Sequence, residues 1–534
     1  MPEYLSPGVY IEEISGPRPI EGVSTSTAGF VGQTERGPTP PRLVTSWIEY
    51  GRWYGGYIDE SSSYMPFAIK GFFDNGGQRA FIARVHQPDA SVAGLDLAQD
   101  LRLDAIGEGE WGNRIFVRIS ASSQRERNSN SQTFKLTVLY YADLPPIPLV
   151  DPLDPANIAN PDRVDPDQIE SYDNLGVDPT GPNYAFTIVN SSSQLVHIPQ
   201  PAANPALPQD VGFDQAQLDG GSDGNTPIGA DQYIGGSPPP NDTSLRRGLA
   251  GLEIIDEISL LCVPDHVHPN LPGADQNQIL NEVVNQCERL KDRFSILNIV
   301  GNQSDVNTIN PPRDSSYGAV YYPWIRVFNP RMNDTLLVPP GGHVCGIVAR
   351  SDIERGVHKA PANEVVRGII NRDLNGNQKP LQYQITKGHQ DILNPKGVNV
   401  IRDFRSDLRG IRLWGARTMS SDAEWKYVNV RRLFIFIEES IDEGTQWVVF
   451  EPNSEPTWAK VRRSITNFLI SIWRDGALMG ITPDEAFFVK CDRTTMTQDD
   501  IDNGRLICYI GIAPVKPAEF VIFRISQKTI EAEG

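Results

Sequence analysis

The sequence has few cysteines, and they lie too far apart to form a recognisable motif. Its 534 residues include five, and no two of them form a C-x-x-C pair. This scattered, odd-numbered set argues against a disulfide framework and against a zinc knuckle. We therefore expect plain core thiols, and no metal or cofactor bound through sulfur, at Cys262, Cys287, Cys345, Cys491 and Cys508.

Long apolar runs are also missing. No window approaches the roughly 20 apolar residues that a membrane-spanning helix needs, so we expect no direct membrane insertion. The first residues, Met1–Tyr4, lack the basic and apolar segments of a secretory signal peptide. We therefore expect synthesis and assembly in a cytoplasm.

Positive charge is scarce, above all in one segment. The formal net charge is −19, and residues 143–244 contain fifteen Asp and Glu against a single Arg, together with 17 of the 43 prolines. Such a segment would repel a phosphate polymer, which disfavours nucleic-acid binding. Its composition predicts long surface loops with a few strands.

The two ends of the chain read as strands without a nearby partner. Residues 4–14 place β-formers after a Pro-Gly turn signal, and residues 519–527 form a β-branched and aromatic run that follows a Pro-containing segment. Either both ends close an intramolecular sheet, or they join a sheet edge in another copy. The residues at issue are Val9, Tyr10, Ile11, Glu12, Phe520, Val521, Ile522, Phe523, Arg524 and Ile525.

The length predicts about three or four domain-sized units, and one of them reads as α/β. Buried strands are predicted over 27–33, 79–85, 258–263 and 294–300, with an amphipathic helix over 276–293. The β-α-β pattern of the last three segments predicts a parallel sheet. Residues 95–244 would then be an insertion into this α/β domain.

The insertion reads as mostly β, whereas the last third reads as α+β. Within the insertion, strands are predicted over 114–120, 134–141 and 184–189. For the last third, the predicted elements are helices over 428–440 and 457–476 and strands over 485–491 and 505–514.

Three short motifs are candidates for a nucleotide, metal or catalytic site, but for each of them we favour a purely structural role. Gly107–Gly112 satisfies G-x-G-x-x-G but precedes a predicted strand, which indicates a turn and not a dinucleotide loop. Asp265–His268 places two imidazoles two residues apart without further ligands near them in the sequence. His343 and Cys345 would point the same way if they occupied a strand, but an orienting group and an oxyanion site are not apparent. We therefore predict no catalytic, cofactor-binding or metal-binding residue.

The predicted helix over 457–476 has two unlike faces. Trp458, Ile465 and Leu469 belong to its apolar face, while Lys460, Arg463 and Arg474 fall almost opposite. A basic stripe is most often a solvated face, so the pattern alone leaves open whether it binds a partner.

Several segments resemble contractile tail sheath proteins of phages, bacteriocins and contractile injection systems. The resemblance begins at the N-terminus. It continues in the segment that contains Asn75-Gly76-Gly77 and the following predicted strand, and again in the last third of the chain. The segments that carry it are 6–13, 26–32, 72–85, 396–399, 414–418, 427–432 and 450–453.

The resemblance implies a structural protein and not an enzyme. Copies would exchange terminal strands, polymerise helically around an inner tube protein, and contract to drive the tube through a target membrane, with baseplate and terminal cap proteins as further partners. It also implies that Lys460, Arg463 and Arg474 face the tube. The alternatives are a rigid tail or baseplate component that uses strand exchange and, in another class, an α/β enzyme built on residues 245–302.

The resemblance and the patterns together predict six segments in a multidomain α/β and α+β protein. An inner C-terminal domain, a middle α/β domain with a parallel sheet and an inserted outer β domain would lie between two strand-exchanging arms. The expected bounds are 1–18 for the N-terminal arm, 19–94 and 245–355 for the middle domain, 95–244 for the insertion, 356–515 for the C-terminal domain and 516–534 for the C-terminal arm.

Overall fold

The structure is a computed structural model, and it describes residues 19–200, 205–236, 246–371, 376 and 379–524. Its described residues form two compact units. The smaller unit comprises residues 19–24, 355–360 and 429–524, and the larger unit comprises the remainder. The N-terminal strand residues Val9, Tyr10, Ile11 and Glu12, together with Ile525, lie outside the described residues.

Strands and helices alternate along most of the chain. The strands, numbered in chain order, are β1 (Thr27–Gln33), β2 (Arg42–Val44), β3 (Arg79–Val85), β4 (Gly94–Ala98), β5 (Leu101–Ala105), β6 (Ile115–Ala121), β7 (Thr133–Tyr140), β8 (Gln168–Gly176), β9 (Val196–His197), β10 (Leu260–Cys262), β11 (Phe294–Asn298), β12 (Gly318–Tyr322), β13 (Ile325–Asn329), β14 (Asp334–Val338), β15 (Glu364–Val365), β16 (Val398–Asp403), β17 (Ile411–Leu413), β18 (Phe487–Lys490) and β19 (Tyr509–Ile512). The α-helices are α1 (Trp47–Tyr54), α2 (Met65–Asp74), α3 (Ser123–Arg127), α4 (Ala185–Ser192), α5 (Ala230–Ile234), α6 (Gly248–Leu252), α7 (Gly273–Leu290), α8 (Gly341–Arg355), α9 (Lys387–Leu393), α10 (Val428–Thr445), α11 (Glu455–Arg474), α12 (Pro483–Ala486) and α13 (Gln498–Asp502).

A nine-stranded sheet organises the larger unit. Its order is β15-β17-β16-β12-β11-β10-β1-β3-β2, and the six strands from β16 to β3 are all parallel. Parallel sheets are normally covered on both faces, so their strands read as continuous apolar runs. This confirms the predicted parallel α/β sheet, and the predicted bounds of β1 and β3 coincide with the observed ones.

Neighbouring residues of β1 contact helices on opposite faces of the sheet. Phe30 meets Phe72 of α2 edge to face, with ring centroids 5.4 Å apart. Val31 belongs instead to a buried cluster with Leu252 of α6 and Val283 of α7. Because side chains alternate between the faces of a strand, β1 is buried between two helical layers.

The described residues of 94–218, nearly all of them in the predicted insertion, form two small antiparallel sheets around a core of their own. β4-β5-β9 and β6-β7-β8 enclose Trp111, Phe134 and Tyr140. The prediction of a strand over 184–189 is wrong, because these residues begin helix α4. Ala185 and Val189 are one helical turn apart and both are buried, so packing on this core overrides the β propensity of the segment.

The smaller unit packs α10 and α11 together with the β18–β19 hairpin. Its core includes Ile20, Leu433, Ile465, Leu469 and Phe487. The apolar face predicted for residues 457–476 is the buried face of α11, which confirms that amphipathic helix.

The compact units divide the chain differently from the predicted boundary at residue 356. β16 is fully buried over its first four residues and pairs in parallel with β12, in the register Val398 to Val320. Residues 361–428 therefore belong to the larger unit, and the smaller unit takes up the chain again at Asn429.

Glycines allow α2 and α8 to approach backbone to backbone. A Cβ on Gly342 would lie 2.4 Å from the Cα of Ala68, and one on Gly346 would lie 2.3 Å from the carbonyl oxygen of Phe72. Backbone atoms cannot move aside as a flexible side chain can, so a methyl group at either position must push the helices apart.

We predict that Gly342→Ala lowers the free energy of unfolding by about 1–3 kcal/mol through this overpacking. The matched control is Gly273→Ala at the first residue of α7, where a Cβ meets nothing within 4 Å. Urea unfolding followed by tryptophan fluorescence measures both. Equal stability of the two variants would contradict the close approach.

Candidate interaction surfaces and the sites tested for chemistry

The Gly107–Gly112 motif forms a turn between strands, as predicted. It connects β5 to β6 through a short 3₁₀ helix, Glu110–Arg114, with Trp111 buried. A dinucleotide loop needs the free amide groups of an α-helix N-terminus. No α-helix follows this motif before β6, so it lacks that feature of a nucleotide site.

The imidazoles of Asp265–His268 are engaged with the backbone. His266 Nδ1 lies 2.6 Å from the Val263 carbonyl oxygen, and His268 Nε2 lies 3.0 Å from that of Glu60. Burial lowers the pKa of His266, which favours the neutral ring. Among the described residues, no group of three or more His, Cys, Asp or Glu side chains is placed to hold a metal ion.

Asp265 lies where open α/β sheets commonly bind ligands, beyond the carboxyl ends of β1 and β10. It accepts hydrogen bonds from Ser63 Oγ at 2.5 Å, the Tyr64 amide at 2.7 Å and Tyr233 Oη at 3.1 Å. Burial raises the pKa of this carboxyl group. Its oxygen atoms are therefore satisfied by the protein's own donors.

A polar cleft of about 580 Å³ lies near the carboxyl ends of β1 and β3. Arg84 in its wall donates to the carbonyl oxygens of Gly37 at 3.2 Å and Glu108 at 2.7 Å. His86, also in the wall, lies 2.7 Å through Nδ1 from the Gln87 carbonyl oxygen. These groups hold loops together, and the cleft brings together no nucleophile with a base and an orienting group.

His343 and Cys345 do not lie on a strand, so that part of the sequence interpretation is wrong. Both belong to α8, where residues two apart point to nearly opposite sides of the helix. The ring of His343 instead packs on Gly71 of α2, where a Cβ would come within 2.3 Å of it. Helix packing therefore separates the two side chains.

The buried His343 ring makes the larger unit sensitive to acid. Burial lowers its pKa from 6.5 to about 4, with smaller effects of Asp74 and Lys70. As the pH falls below 6.5, the unfolded chain takes up a proton that the folded chain does not bind until about pH 4. Folding stability is therefore lost as the pH falls through this window.

We predict that His343 alone costs about 2 kcal/mol of unfolding free energy between pH 7 and pH 5. His343→Gln stays neutral, so its loss over the same interval should be smaller by that amount. Urea unfolding at the two pH values gives both numbers. An unchanged pH dependence in the variant would show that the buried ring is not the titrating group.

The cysteines are all free thiols, of which Cys508 alone is partly exposed. Cys491 and Cys508 lie in one apolar cluster of the smaller unit, a proximity that their separation in the sequence did not indicate.

The basic side of α11 is open to solvent. Lys460, Arg463 and Arg474 are exposed, and within the described residues none of the three forms an ion pair. The helix carries four cations and one anion. Its Glu455 is engaged elsewhere, 3.0 Å from Arg493, so α11 presents a net positive surface.

The chain beyond β19 presents consecutive exposed apolar side chains. Phe520, Val521, Ile522 and Phe523 are 71%, 68%, 78% and 82% exposed, and the described residues from 516 to 524 form no strand. Arg524 is exposed as well. Monomeric proteins rarely leave a contiguous apolar run of this kind in water, and exposed apolar patches are typical of interaction sites.

The β18–β19 hairpin has outer edges that could accept such a segment. In the described part of the chain it forms a two-stranded sheet, extended by a single bridge between Leu478 and Pro514. Phe487 faces the core, while Phe488 is 58% exposed. Isolated two-stranded sheets are marginally stable, and added strands or packing stabilise them.

Strand addition between chains uses an exposed sheet edge and an extended segment, and the described residues of the smaller unit offer both features. Two family models match: the phage tail sheath protein central domain over residues 253–419, and the phage tail sheath C-terminal domain over residues 420–528. The chain belongs to the phage tail sheath family, a family of structural proteins.

Individual relatives and structures agree with this assignment. The chain is 26% identical over 207 residues to a prophage major tail sheath protein of Pseudomonas aeruginosa. The aligned region covers 38% of this chain and 49% of that protein. It is 22% identical over 258 residues to the tail sheath protein of Escherichia phage P2, and this alignment covers 48% of this chain and 61% of the phage protein. The chain thus aligns with about half of the length of the Pseudomonas relative.

The fold is similar over nearly the whole chain to two solved sheaths. One is the helical sheath of the anti-feeding prophage in its contracted state, with a TM-score of 0.56, 24% identity and coverage of 98% and 100% of the two chains. The other is the contracted PVC sheath complex of an extracellular contractile injection system, with a TM-score of 0.55, 20% identity and coverage of 99% of each chain. Both show the fold. Among the described residues of this chain, no helix has the length and apolar character that crossing a membrane requires.

Proposed function

We propose that this protein is a sheath protomer that polymerises helically around an inner tube and contracts to drive the tube through a target membrane. The observation that carries this proposal is the exposed run Phe520–Phe523, which lies in the same unit as a hairpin with open edges. The family membership and the similarity of fold to contracted sheaths support it. In this role the protein is structural and not an enzyme.

Strand exchange would hold neighbouring protomers together. A donated strand with about five backbone hydrogen bonds gains roughly 1 kcal/mol for each. Burying an exposed Phe, Val or Ile side chain adds about 1.5–3 kcal/mol. We propose that residues 520–525 and the N-terminal residues 9–12 are the exchanged strands, and that hairpins of neighbouring copies receive them.

Such links would let protomers move without separating. Each arm adjoins a Pro-containing segment, 15–19 at the start and 513–517 at the end, so a strand could stay paired while its domain rotates. The work of contraction would come from larger surfaces buried in the contracted state, summed over many copies. A small gain in each protomer would then produce a large stroke.

The partners follow from the same proposal. We infer that the basic side of α11, with Lys460, Arg463 and Arg474, faces an acidic surface of the tube protein. The insertion 95–244 would be the outer domain, and baseplate and terminal cap proteins would bind the ends of the polymer. Assembly would take place in the bacterial cytoplasm as part of a phage-tail-like particle, without nucleic acid as a partner.

A rigid tail or baseplate component is the alternative structural function, and matching structures also include the baseplate of the anti-feeding prophage. Electron microscopy distinguishes the two functions, because only a sheath changes length. An α/β enzyme is disfavoured, because the polar groups at the carboxyl ends of the sheet strands are engaged within the protein.

We predict that the double variant Val521→Asp, Phe523→Asp stays folded but loses polymers. Two charges on one side of the donated strand would have to be desolvated in each link, which costs more than the hydrogen bonds return. Negative-stain electron microscopy of the chain, expressed alone and with its tube subunit, counts the particles. Deletion of residues 1–14 should have the same effect.

The matched control is Ile158→Asp, which places a charge on a side chain that is 69% exposed in the insertion. It should assemble as the wild type does. Polymers of normal number and length from the double variant would show that the terminal run is not a link.

We predict that reversing Lys460, Arg463 and Arg474 to Glu abolishes sheath assembly on the tube. A control triple variant, Arg127→Glu, Lys379→Glu and Lys387→Glu, changes the net charge equally at exposed positions of the larger unit. Co-purification of tube and sheath should fall at least tenfold for the first variant alone, and salt should weaken the wild-type complex. Sheath-on-tube particles from the first variant would exclude this contact.

A further inference from the structure

Two cysteines flank the loop that connects β18 to β19. Lys490 pairs with Tyr509 at the end of the antiparallel ladder. Continuing that register by one residue makes Cys491 and Cys508, which lie just outside the two strands, the next cross-strand neighbours. Such neighbours have Cα atoms about 4.5–5.5 Å apart, within the roughly 4.4–6.8 Å that disulfides span. The two cysteines also pack in one apolar cluster of the smaller unit.

The surroundings of the two sulfur atoms differ. Cys491 is fully buried in a small cluster with Trp458 and Met496, and Cys508 packs on the same cluster while remaining partly exposed. The neighbouring Cys508 thiol lowers the pKa of Cys491, and the charge of Arg462 acts in the same direction. Arg462 is held in place, since its Nη1 donates to the Cys491 carbonyl oxygen at 3.1 Å.

We propose that Cys491 and Cys508 are an oxidisable thiol pair whose disulfide closes the loop formed by residues 492–507. This inference does not depend on the proposed sheath function. It revises the interpretation of all five cysteines as plain core thiols, because it is the hairpin register that brings two of them together.

The chemistry balances with hydrogen peroxide as the oxidant. The Cys491 thiolate attacks one peroxide oxygen, the O–O bond breaks, and the departing hydroxide takes up a proton to become water. The Cys508 sulfur then attacks the Cys491 sulfenic acid, forming the S–S bond as the oxygen leaves as a second water with the Cys508 proton. The two sulfur atoms lose two electrons in total, and the peroxide gains them.

The closed loop carries α13 and a cluster of polar contacts. Thr495 Oγ1 donates to the Ile507 carbonyl oxygen at 2.9 Å, and Arg505 Nε lies 2.8 Å from Asp500 Oδ1. Arg505 is exposed, and exposed ion pairs add little stability. A disulfide across the base of the loop would therefore constrain it more firmly, by removing chain entropy from its open states.

The test is a non-reducing peptide map of the native full-length protein before and after exposure to hydrogen peroxide. We expect a peptide containing Cys491 joined to one containing Cys508, lacking two hydrogen atoms, with near-complete loss of free thiol at both positions. Dithiothreitol should restore both thiols. The linked peptide should be absent from Cys508→Ser and, if that variant folds poorly, from Cys508→Ala.

Recovery of both thiols in alkylated form after peroxide treatment would overturn the proposal. The same holds if the linked peptide forms only in urea-unfolded protein, or if either cysteine links to a different cysteine instead. Cys287, which is fully buried in the larger unit, serves as the internal reference and should remain a free thiol throughout.

Discussion

The parallel pairing of β1 with β3 on one side and β10 on the other is the constraint on which the larger unit depends. Ala28 is opposite Ala80 and Leu260, so one short strand joins two segments that are 180 residues apart in the sequence. Helices must cover both faces of such a sheet, and α2 and α7 do so. The chain leaves the sheet after β3 and returns at β10, which lets a long segment with its own core form between these strands without breaking a strand pair.

Glycine and burial then determine how the covering helices fit. α2 and α8 approach so closely that Gly342 and Gly346 have no space for a Cβ. The same approach buries His343 against Gly71 and keeps its ring neutral, so the close helix contact is also the origin of an acid-sensitive element. The residues that suggested chemistry in the sequence thus serve packing. Asp265 is another example, because its carboxylate binds donors within the protein.

The smaller unit differs, since within its described residues the outer edges of the β18–β19 hairpin are largely unpaired and the apolar run Phe520–Phe523 is exposed. A two-stranded hairpin gains from additional strands, and Phe520–Phe523 would lose most of their exposure on pairing. If strand exchange links the copies as proposed, pairing would stabilise each protomer beyond its isolated state. In the sheath proposed here, every copy would supply what its neighbour lacks, and the same hairpin would bear a thiol pair that oxidation could lock.

The sequence by itself determined the elements whose signal is local. Continuous apolar runs predicted β1 and β3, and 3.6-residue periodicity predicted α11. The segments that resemble tail sheath proteins indicated the family. Tertiary structure decided what depends on distant partners: residues 184–189 became helical because Ala185 and Val189 pack on a core, and β16 joined the large sheet because β12 offered a parallel edge. Likewise, His343 and Cys345 were separated by a helix, while Cys491 and Cys508 were joined by strand register. Burial and pairing partners are properties of the folded chain, and local sequence does not encode which distant segment will supply them.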